Sequence, residues 1–434
     1  MAELVQPGGK SFQWCKKNGN KINGPGQKRI SLRIKTITMQ QSLLQNQKRI
    51  ESIDLLRGLV MIIMALDHVR DFFHIGALTD DPLNLMTTTP ELYFTRWITH
   101  FCAPVFVFLT GTSAYLQAAR KSKKELSLFL IKRGLWLIIA EIIIINLIFS
   151  FDITFSQIAL TVIWAIGISM VILGLLIWLP FKLILAIGLV IVLGHNSLDF
   201  YEKANPGPHN FMYNLLHSFG FHPLGGKHAL LVMYPFLPWT GLMILGYCLG
   251  KVLRSSDEAY RKKFLIITGL SAIALFIILR FINIYGNPFA WSEQRTPFYS
   301  FLSFINTHKY PPSLLYMCMT IGPALLFIAL WGNIQNGFSR VVSVYGRVPF
   351  FYYILHFFLI HVFATIVFFI RGHSFAEGIS DPNAFANFTK TGEGFSLGVT
   401  YLIWLGLVIM LYPICKWYDR YKMNHKEKWW LSYL

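Results

Sequence analysis

Apolar stretches of membrane-spanning length recur along the chain; "LLYMCMTIGPALLFIALW", from Leu314 to Trp331, is one of them. A helix rises ~1.5 Å per residue and a bilayer core is ~30 Å thick, so about 20 such residues suffice to cross it. In hydrocarbon, each backbone N–H and C=O has to be satisfied internally, and for an apolar run of this length that means an α-helix. Only 14% of the 434 residues are charged, while 54% are hydrophobic; soluble domains carry about 25% charged residues. The chain is therefore read as all-α, a polytopic integral membrane protein whose first partner is the lipid bilayer.

About ten transmembrane helices are expected, near 53–73, 97–117, 128–149, 157–178, 180–194, 229–250, 263–284, 312–331, 347–370 and 395–415. The fifth is short and Pro180 separates it from the fourth, so a re-entrant hairpin is the alternative there. Lys and Arg alternate between the connecting segments. Ten precede Ser52 and five follow from Lys416, whereas each loop of the opposite set holds two at most. The positive-inside rule then places both termini in the cytoplasm. It also accounts for the net charge of +18, because the basic residues sit in short clusters between apolar runs; no nucleic acid is expected.

Three regions follow. Residues 1–49 are polar, basic and Gly-containing, and are expected to lack stable structure. Met39 is the expected natural start. Residues 50–416 form the membrane domain, and 417–434 a basic, aromatic tail. Cys15, Cys102, Cys248, Cys318 and Cys415 are scattered without a CxxC pair, and HExxH, P-loop, GxGxxG and GxSxG patterns are missing. Neither a metal nor a disulfide framework is expected. The outer loops 195–228 and 285–311 are long for plain connectors and are candidates for roofing a site.

The first helix carries unusual charge: "LRGLVMIIMALDHVRDFFHIG" holds Arg57, Asp67, His68, Arg70, Asp71 and His74. Asp54, Arg57, Met61, Met64, His68 and Asp71 follow steps of three and four, and so form one stripe. Arg57 and His68 share a face ~16 Å apart, with His68 ~22 Å along a ~30 Å core. Charge at that depth needs a polar cavity or a partner, which makes Asp67 and His68 functional candidates. Asp67 points ~100° away from its neighbour, so a carboxylate orienting His68 is expected from another helix, for instance Glu141. Arg70, Asp71 and His74 approach the outer boundary, where solvation is an equal reading. Glu141 lies mid-run in "WLIIAEIIIIN", with Asn146 five residues on; pairing with Arg133 or a buried His is its alternative role. Pro104 should kink the second helix near His100. Gly241, Gly246 and Gly250 suit close helix contact. His356 and His361 are ~140° apart on one helix, and His356 is preferred for the interior.

Several motifs occur in order between about residue 49 and the C-terminus: "RIESIDLLRGLVMIIMALDHVRDFF", "FCAPVFVFLTGTSAYL", "LIKRGLWLI", "YPFLPWTGLMILGYCLGK", "YPPSLLYMCMTIGPALL" and "VYGRVPFFYYILHFFLIH". Together they resemble the bacterial membrane family related to the catalytic domain of heparan-alpha-glucosaminide N-acetyltransferase. The wider group includes the acyltransferase-three family, whose first helix carries an Arg, ten residues, then a His, a spacing that Arg57 and His68 match. The resemblance implies an inner-membrane acyltransferase moving an acetyl group from cytosolic acetyl-CoA, or another acyl-CoA, to an extracytoplasmic sugar or glycan, with a His as general base. The lysosomal enzyme has Asn in the place of His68 and its catalytic His 11 residues further on; the nearest histidine here is His74. Both His68 and His74 therefore stand as catalytic candidates, with Asp67 and Glu141.

Arginine suits bidentate phosphate contacts, so Arg57, Arg133 and Arg347 are expected at the donor, with Lys132 nearby. Trp239, His100 and His356 are assigned to the acceptor, and Trp291 and Tyr310 are further aromatic candidates for a sugar ring. A homodimer is an expected assembly. The competing reading is a proton-coupled small-solute transporter using buried His, Asp and Glu as a relay, to which the lack of a fixed-period repeat lends no support.

Overall fold

The computed structural model describes residues 51–77, 79–331, 336–380 and 386–432. The expectations for residues 1–49 and for Met39 lie outside them. In chain order the helices are α1 (Glu51–Phe73), α2 (Pro90–Thr99), α3 (Cys102–Gln117), α4 (Lys123–Ala140), α5 (Asn146–Ser150), α6 (Val162–Leu176), α7 (Phe181–Gly194), α8 (Leu198–Ala204), α9 (Phe211–Leu216), α10 (Phe236–Leu253), α11 (Glu258–Ile282), α12 (Pro297–Ile305), α13 (Leu314–Trp331), α14 (Gly337–Arg347), α15 (Pro349–Ile370), α16 (Phe375–Ser380) and α17 (Leu397–Asn424). A π-helical turn, Glu141–Ile145, joins α4 to α5. Residues Ile50–Leu434 form one compact unit.

Seven helical stretches among the described residues are long and apolar enough to cross a membrane: Pro90–Gln117, Phe181–Ala204, α10, α11, α13, α15 and α17. The chain is thus a multi-pass membrane protein. Helix α1 falls outside this group on composition, since its acids and arginines dilute its apolar residues. It nevertheless runs through the middle of the bundle, packed against α2, α3, α13, α14, α15 and α17.

Glycines set the closest crossings. A Cβ on Gly58 would stand 2.0 Å from the Val342 carbonyl oxygen, and one on Gly346 1.9 Å from that of Asp54, so α1 and α14 meet backbone to backbone. Gly246 does the same for α10 against α3 at the Phe108 carbonyl, while Gly250 seats α10 on the Tyr115 side chain and Gly241 seats it on Ile191 of α7.

The structure departs from a purely helical reading at three places. A small sheet with strands β1 (Gln157–Leu160), β2 (Gly220–Gly225) and β3 (His228–Val232) has the order β1-β3-β2. β1 runs parallel to β3, with Ile158 opposite Leu230, and β2 is antiparallel to β3. "HALLV" therefore ends a hairpin rather than starting the expected helix at 229, and α10 begins only at Phe236. The signal was the preceding Gly225-Gly226 pair, both at positive φ, as a tight hairpin turn needs. The expected helix at 157 likewise opens as β1.

The third departure is the division of the expected 97–117 helix into α2 and α3. Pro104 has no N–H to give the carbonyl of His100, and the Tyr316 hydroxyl donates to that carbonyl instead, at 2.8 Å. The expected kink thus becomes a two-residue interruption at His100 and Phe101, both still right-handed helical in φ and ψ, held by α13.

Candidate active site

The charged half of α1 faces a cavity of about 470 Å³. Asp67, His68, Arg70, Asp71 and His74 line it from α1, Arg96 from α2, Glu141 from the π turn, Thr161 from the end of β1, and Tyr353 and Phe357 from α15. Tyr234, Lys309 and Tyr310 complete the wall, and Thr79, Asp80 and Pro82 of the loop after α1 sit at its edge. Thr79 and Asp80 are exposed, so the space opens at the Phe73 end of α1. Asp67 and His68 do point in different directions, as expected, yet a cavity this wide takes in both.

His68 is the most informative residue. Its Nδ1 lies 2.7 Å from Nε2 of His356, whose own Nδ1 lies 2.8 Å from the carbonyl oxygen of Tyr352. A carbonyl only accepts, so His356 carries its proton on Nδ1. The neutral His356 then accepts at Nε2, and His68 donates from Nδ1. That leaves the lone pair on Nε2 of His68. His68 is partly open, whereas His356 is fully buried behind it, stacked on Tyr352. The partner that orients His68 is thus an imidazole, and the expected pairing with Glu141 is not what the structure holds.

Glu141 is fully buried. Its Oε1 accepts the backbone N–H of Thr161 at 2.9 Å, while Oε2 makes no hydrogen bond among the described residues. Asn146, at the end of the π turn, donates from Nδ2 to the carbonyls of Glu141 and Ala159 and accepts at Oδ1 from the Ala159 N–H. The amide side chain thereby stitches β1 to the turn that carries Glu141.

Asp67 is fixed by two cations: Arg70 at 3.0 Å and Arg96 in direct contact. Arg70 also reaches Asp71 at 2.5 Å. Arg70 is therefore buried and bridging, not solvated at a boundary as its place near the helix end had allowed. Three cations (Arg70, Arg96, Lys309) line the space with the carboxylates of Asp67, Asp71 and Glu141, and Asp80 and Asp81 stand at its edge; opposite charges side by side limit the cost of placing charge there. His74, also on the cavity, accepts the Gly76 N–H at Nδ1 over 3.1 Å.

The remaining expectations divide. Arg57 donates to Ser113 Oγ at 2.8 Å and to the Gly346 carbonyl at 3.2 Å, tying α1 to α3 and α14. Arg347 holds Asp419 of α17 at 2.7 Å, and Arg133 lies over the Phe129 ring. Arg57 reaches the backbone of Gly346, the residue before Arg347, at the α1–α14 crossing; neither of these arginines nor Arg133 lines the cavity. Trp239 is fully buried behind Tyr234, with ring centroids 5.3 Å apart, so Tyr234 and Tyr310 are the aromatic wall in its place. Trp291 is used in packing, its indole N–H on the Arg280 carbonyl. His100 is buried against Tyr316 and away from the lining.

Arg96 and Lys309 were missed because they fell in segments read as loops, where a Lys or Arg counts only toward orientation. Arg96 stands on α2 three residues before its end, with its charge on Asp67.

Comparison with protein families and with curated proteins gives one finding of each kind. The family model described as heparan-alpha-glucosaminide N-acetyltransferase, catalytic, matches residues 49–286. No curated protein matches the chain.

Proposed function

As the chain belongs to the heparan-alpha-glucosaminide N-acetyltransferase catalytic family, a family of membrane acetyltransferases, we propose that it transfers an acetyl group from cytosolic acetyl-CoA to an extracytoplasmic sugar or glycan. The observation that carries this reading is His68, its Nδ1 proton committed to His356 and its Nε2 lone pair left at a cavity that opens at one end of the bundle.

In this reading His68 Nε2 removes the proton from the acceptor hydroxyl or amine as that group attacks the thioester carbonyl. The new C–O or C–N bond forms, the C–S bond breaks, and the imidazolium returns its proton to the departing thiolate. Glu141, buried in the wall with Oε1 on the Thr161 N–H, keeps a carboxylate beside the site rather than touching the acceptor. Asp67 stays paired with Arg70 and Arg96 and holds the local charge. His74 is the alternative base, nearer the opening. Tyr234 and Tyr310 flank the sugar.

The donor end is assigned to the α1–α14 crossing, where Arg57 and Arg347 lie; Arg133 and Lys132 contribute cationic charge from α4. Their present partners would be exchanged for CoA phosphates when the donor binds. Three helices are proposed to cross the membrane in addition to the seven apolar ones: α1, α4 with α5, and the shorter α6. Ten crossings put both termini on one side, the cytoplasmic one by the Lys and Arg distribution. Residues 50–416 then form the transferase domain, in an inner membrane, within a homodimer.

The test is acetylation of a glucosamine-terminated acceptor by purified protein with labelled acetyl-CoA. His68→Ala is expected to lose about 10²–10⁴-fold in rate with an unchanged melting temperature. Wild-type rates in that variant would remove His68 from the mechanism; solute uptake into proteoliposomes without acyl-CoA would favour a transporter instead.

A further inference from the structure

A second polar cluster lies beyond the end of α7. Asp199 and Glu202 stand one turn apart on α8, and His217 follows α9; one ligand atom from each of the three lies within 4.8 Å of the others. Asp199 and His217 are buried, as is His195 beside them. His217 Nδ1 is 2.8 Å from Glu202 Oε1, and its Nε2 is 3.2 Å from Nδ1 of His195. Tyr213 donates its hydroxyl to the same Glu202 oxygen at 3.1 Å, and Asn196 donates to Asp199 Oδ2 at 2.7 Å. Nε2 of His195 makes no hydrogen bond among the described residues, although His195 is only 4% exposed.

Two features of this cluster call for a cation. Burying the Asp199 carboxylate is costly without compensating charge, yet its hydrogen-bond donor is a neutral amide, and Lys203, the neighbouring cation, is exposed. The second feature is the outward chain of imidazoles. A ligating histidine is held by a partner on its other ring nitrogen, and His195 supplies that partner for His217. With a metal ion on Nδ1 of His217, Nε2 carries the proton and donates to His195.

We propose that Asp199, Glu202 and His217 bind a divalent transition-metal ion, Zn²⁺ by the chemistry of the set, with His195 orienting His217. One imidazole and two carboxylates, at about 2 Å each, leave a fourth tetrahedral position for water. The sequence expectation of no metal rested on the lack of CxxC and HExxH spacings. These ligands are spaced over 199–217 and come together only because α8 and α9 fold back on each other. The segment leads directly into β2 and β3, and β3 runs on into Met233 and Tyr234 of the cavity wall. The ion would therefore fix one wall of the cavity from outside it.

The experiment uses full-length protein in detergent, stripped with chelator and dialysed against Zn²⁺. Wild type is expected to retain one Zn²⁺ per chain by mass spectrometry of the metal and to melt at a higher temperature with Zn²⁺ than with EDTA. The near-isosteric double variant Asp199→Asn/Glu202→Gln is expected to weaken Zn²⁺ binding by more than the about 10–100-fold that loss of an outer partner costs. Wild-type protein that retains no Zn²⁺, or retains Ca²⁺ in its place, overturns the proposal without reference to any variant. A folded double variant that retains Zn²⁺ as well as wild type overturns it too.

Discussion

A neutral imidazole has one N–H, and at His356 the carbonyl of Tyr352 claims it. Everything about His68 follows from that claim, including which of its nitrogens can act as a base. His356→Phe keeps the aromatic volume and removes the acceptor, so His68 is free to place its proton on either nitrogen. The expected result is a fall in kcat of about 10-fold or more, below the 10²–10⁴-fold attached to the base itself, with KM little changed. His356→Gln, whose carbonyl oxygen can accept from His68, should recover part of the loss. Steady-state kinetics on the three proteins checks this, and equal kcat in all of them would show that the imidazole behind His68 only fills space. The stripe of polar residues on α1 made His68 legible in the sequence. The role of His356 was not, because spacing along α15 says which face a side chain occupies but not whose nitrogen it meets across the bundle. Trp239 was misplaced for the same reason: an aromatic at the start of a helix looks available until the neighbour that covers it, Tyr234, is in view.

At the scale of elements, the bundle depends on a few positions where no side chain fits. Gly58→Ala would set a methyl 2.0 Å from a carbonyl oxygen of α14, and α1 and α14 would have to separate. Overpacking of this kind costs about 1–3 kcal/mol, and here both contacts are backbone, which cannot turn aside. Gly406→Ala on α17 meets nothing within 4 Å, and is expected to be neutral or stabilising, because Gly is the weaker helix former by about 1 kcal/mol. Thermal melting of the two variants in the same detergent compares them; a Gly58→Ala protein that melts with wild type would show that the crossing can relax. Composition predicted the long helices well, because an apolar run in lipid has one solution. It failed at the strands, where "HALLV" is as apolar as the helix it was joined to and only the Gly-Gly turn distinguishes them.

For the whole molecule, the number of elements that cross decides the topology. The seven apolar helices do so on composition; the helix with the catalytic candidates is excluded by the charges that make it of interest. If α1, α4–α5 and α6 also cross, reporter fusions at the N- and C-terminus should both be active in the cytoplasm, and a reporter in the 371–380 segment on the far side. Opposite signals from the two termini would mean an odd number of crossings and would reassign one of these three. The charge alternation that suggests the orientation was plain in the sequence. The cavity was not, since the cations that join Arg70 there come from α2 and from Lys309 before α13, far apart in the chain and brought together only by the packing around α1.

The π turn carries a different kind of information from the rest of the chain. Residues five apart on a regular helix diverge by ~140°, so Glu141 and Asn146 should not have met. The i→i+5 turn between them brings both to β1, and turns of this kind are rare and concentrated at functional sites. Along Ile142–Ile145 the protein is sensitive to how many residues there are more than to which. Ile143, half exposed to the surroundings, should tolerate Val with little change in melting or transfer rate. Inserting one residue after it would set Glu141 and Asn146 six apart, ~240° around an ordinary helix, swing Asn146 off β1, and be expected to abolish transfer while the helix itself persists by circular dichroism. In such a stretch, a change in length is a change of phase, and a tally of substitutions would give no warning of it.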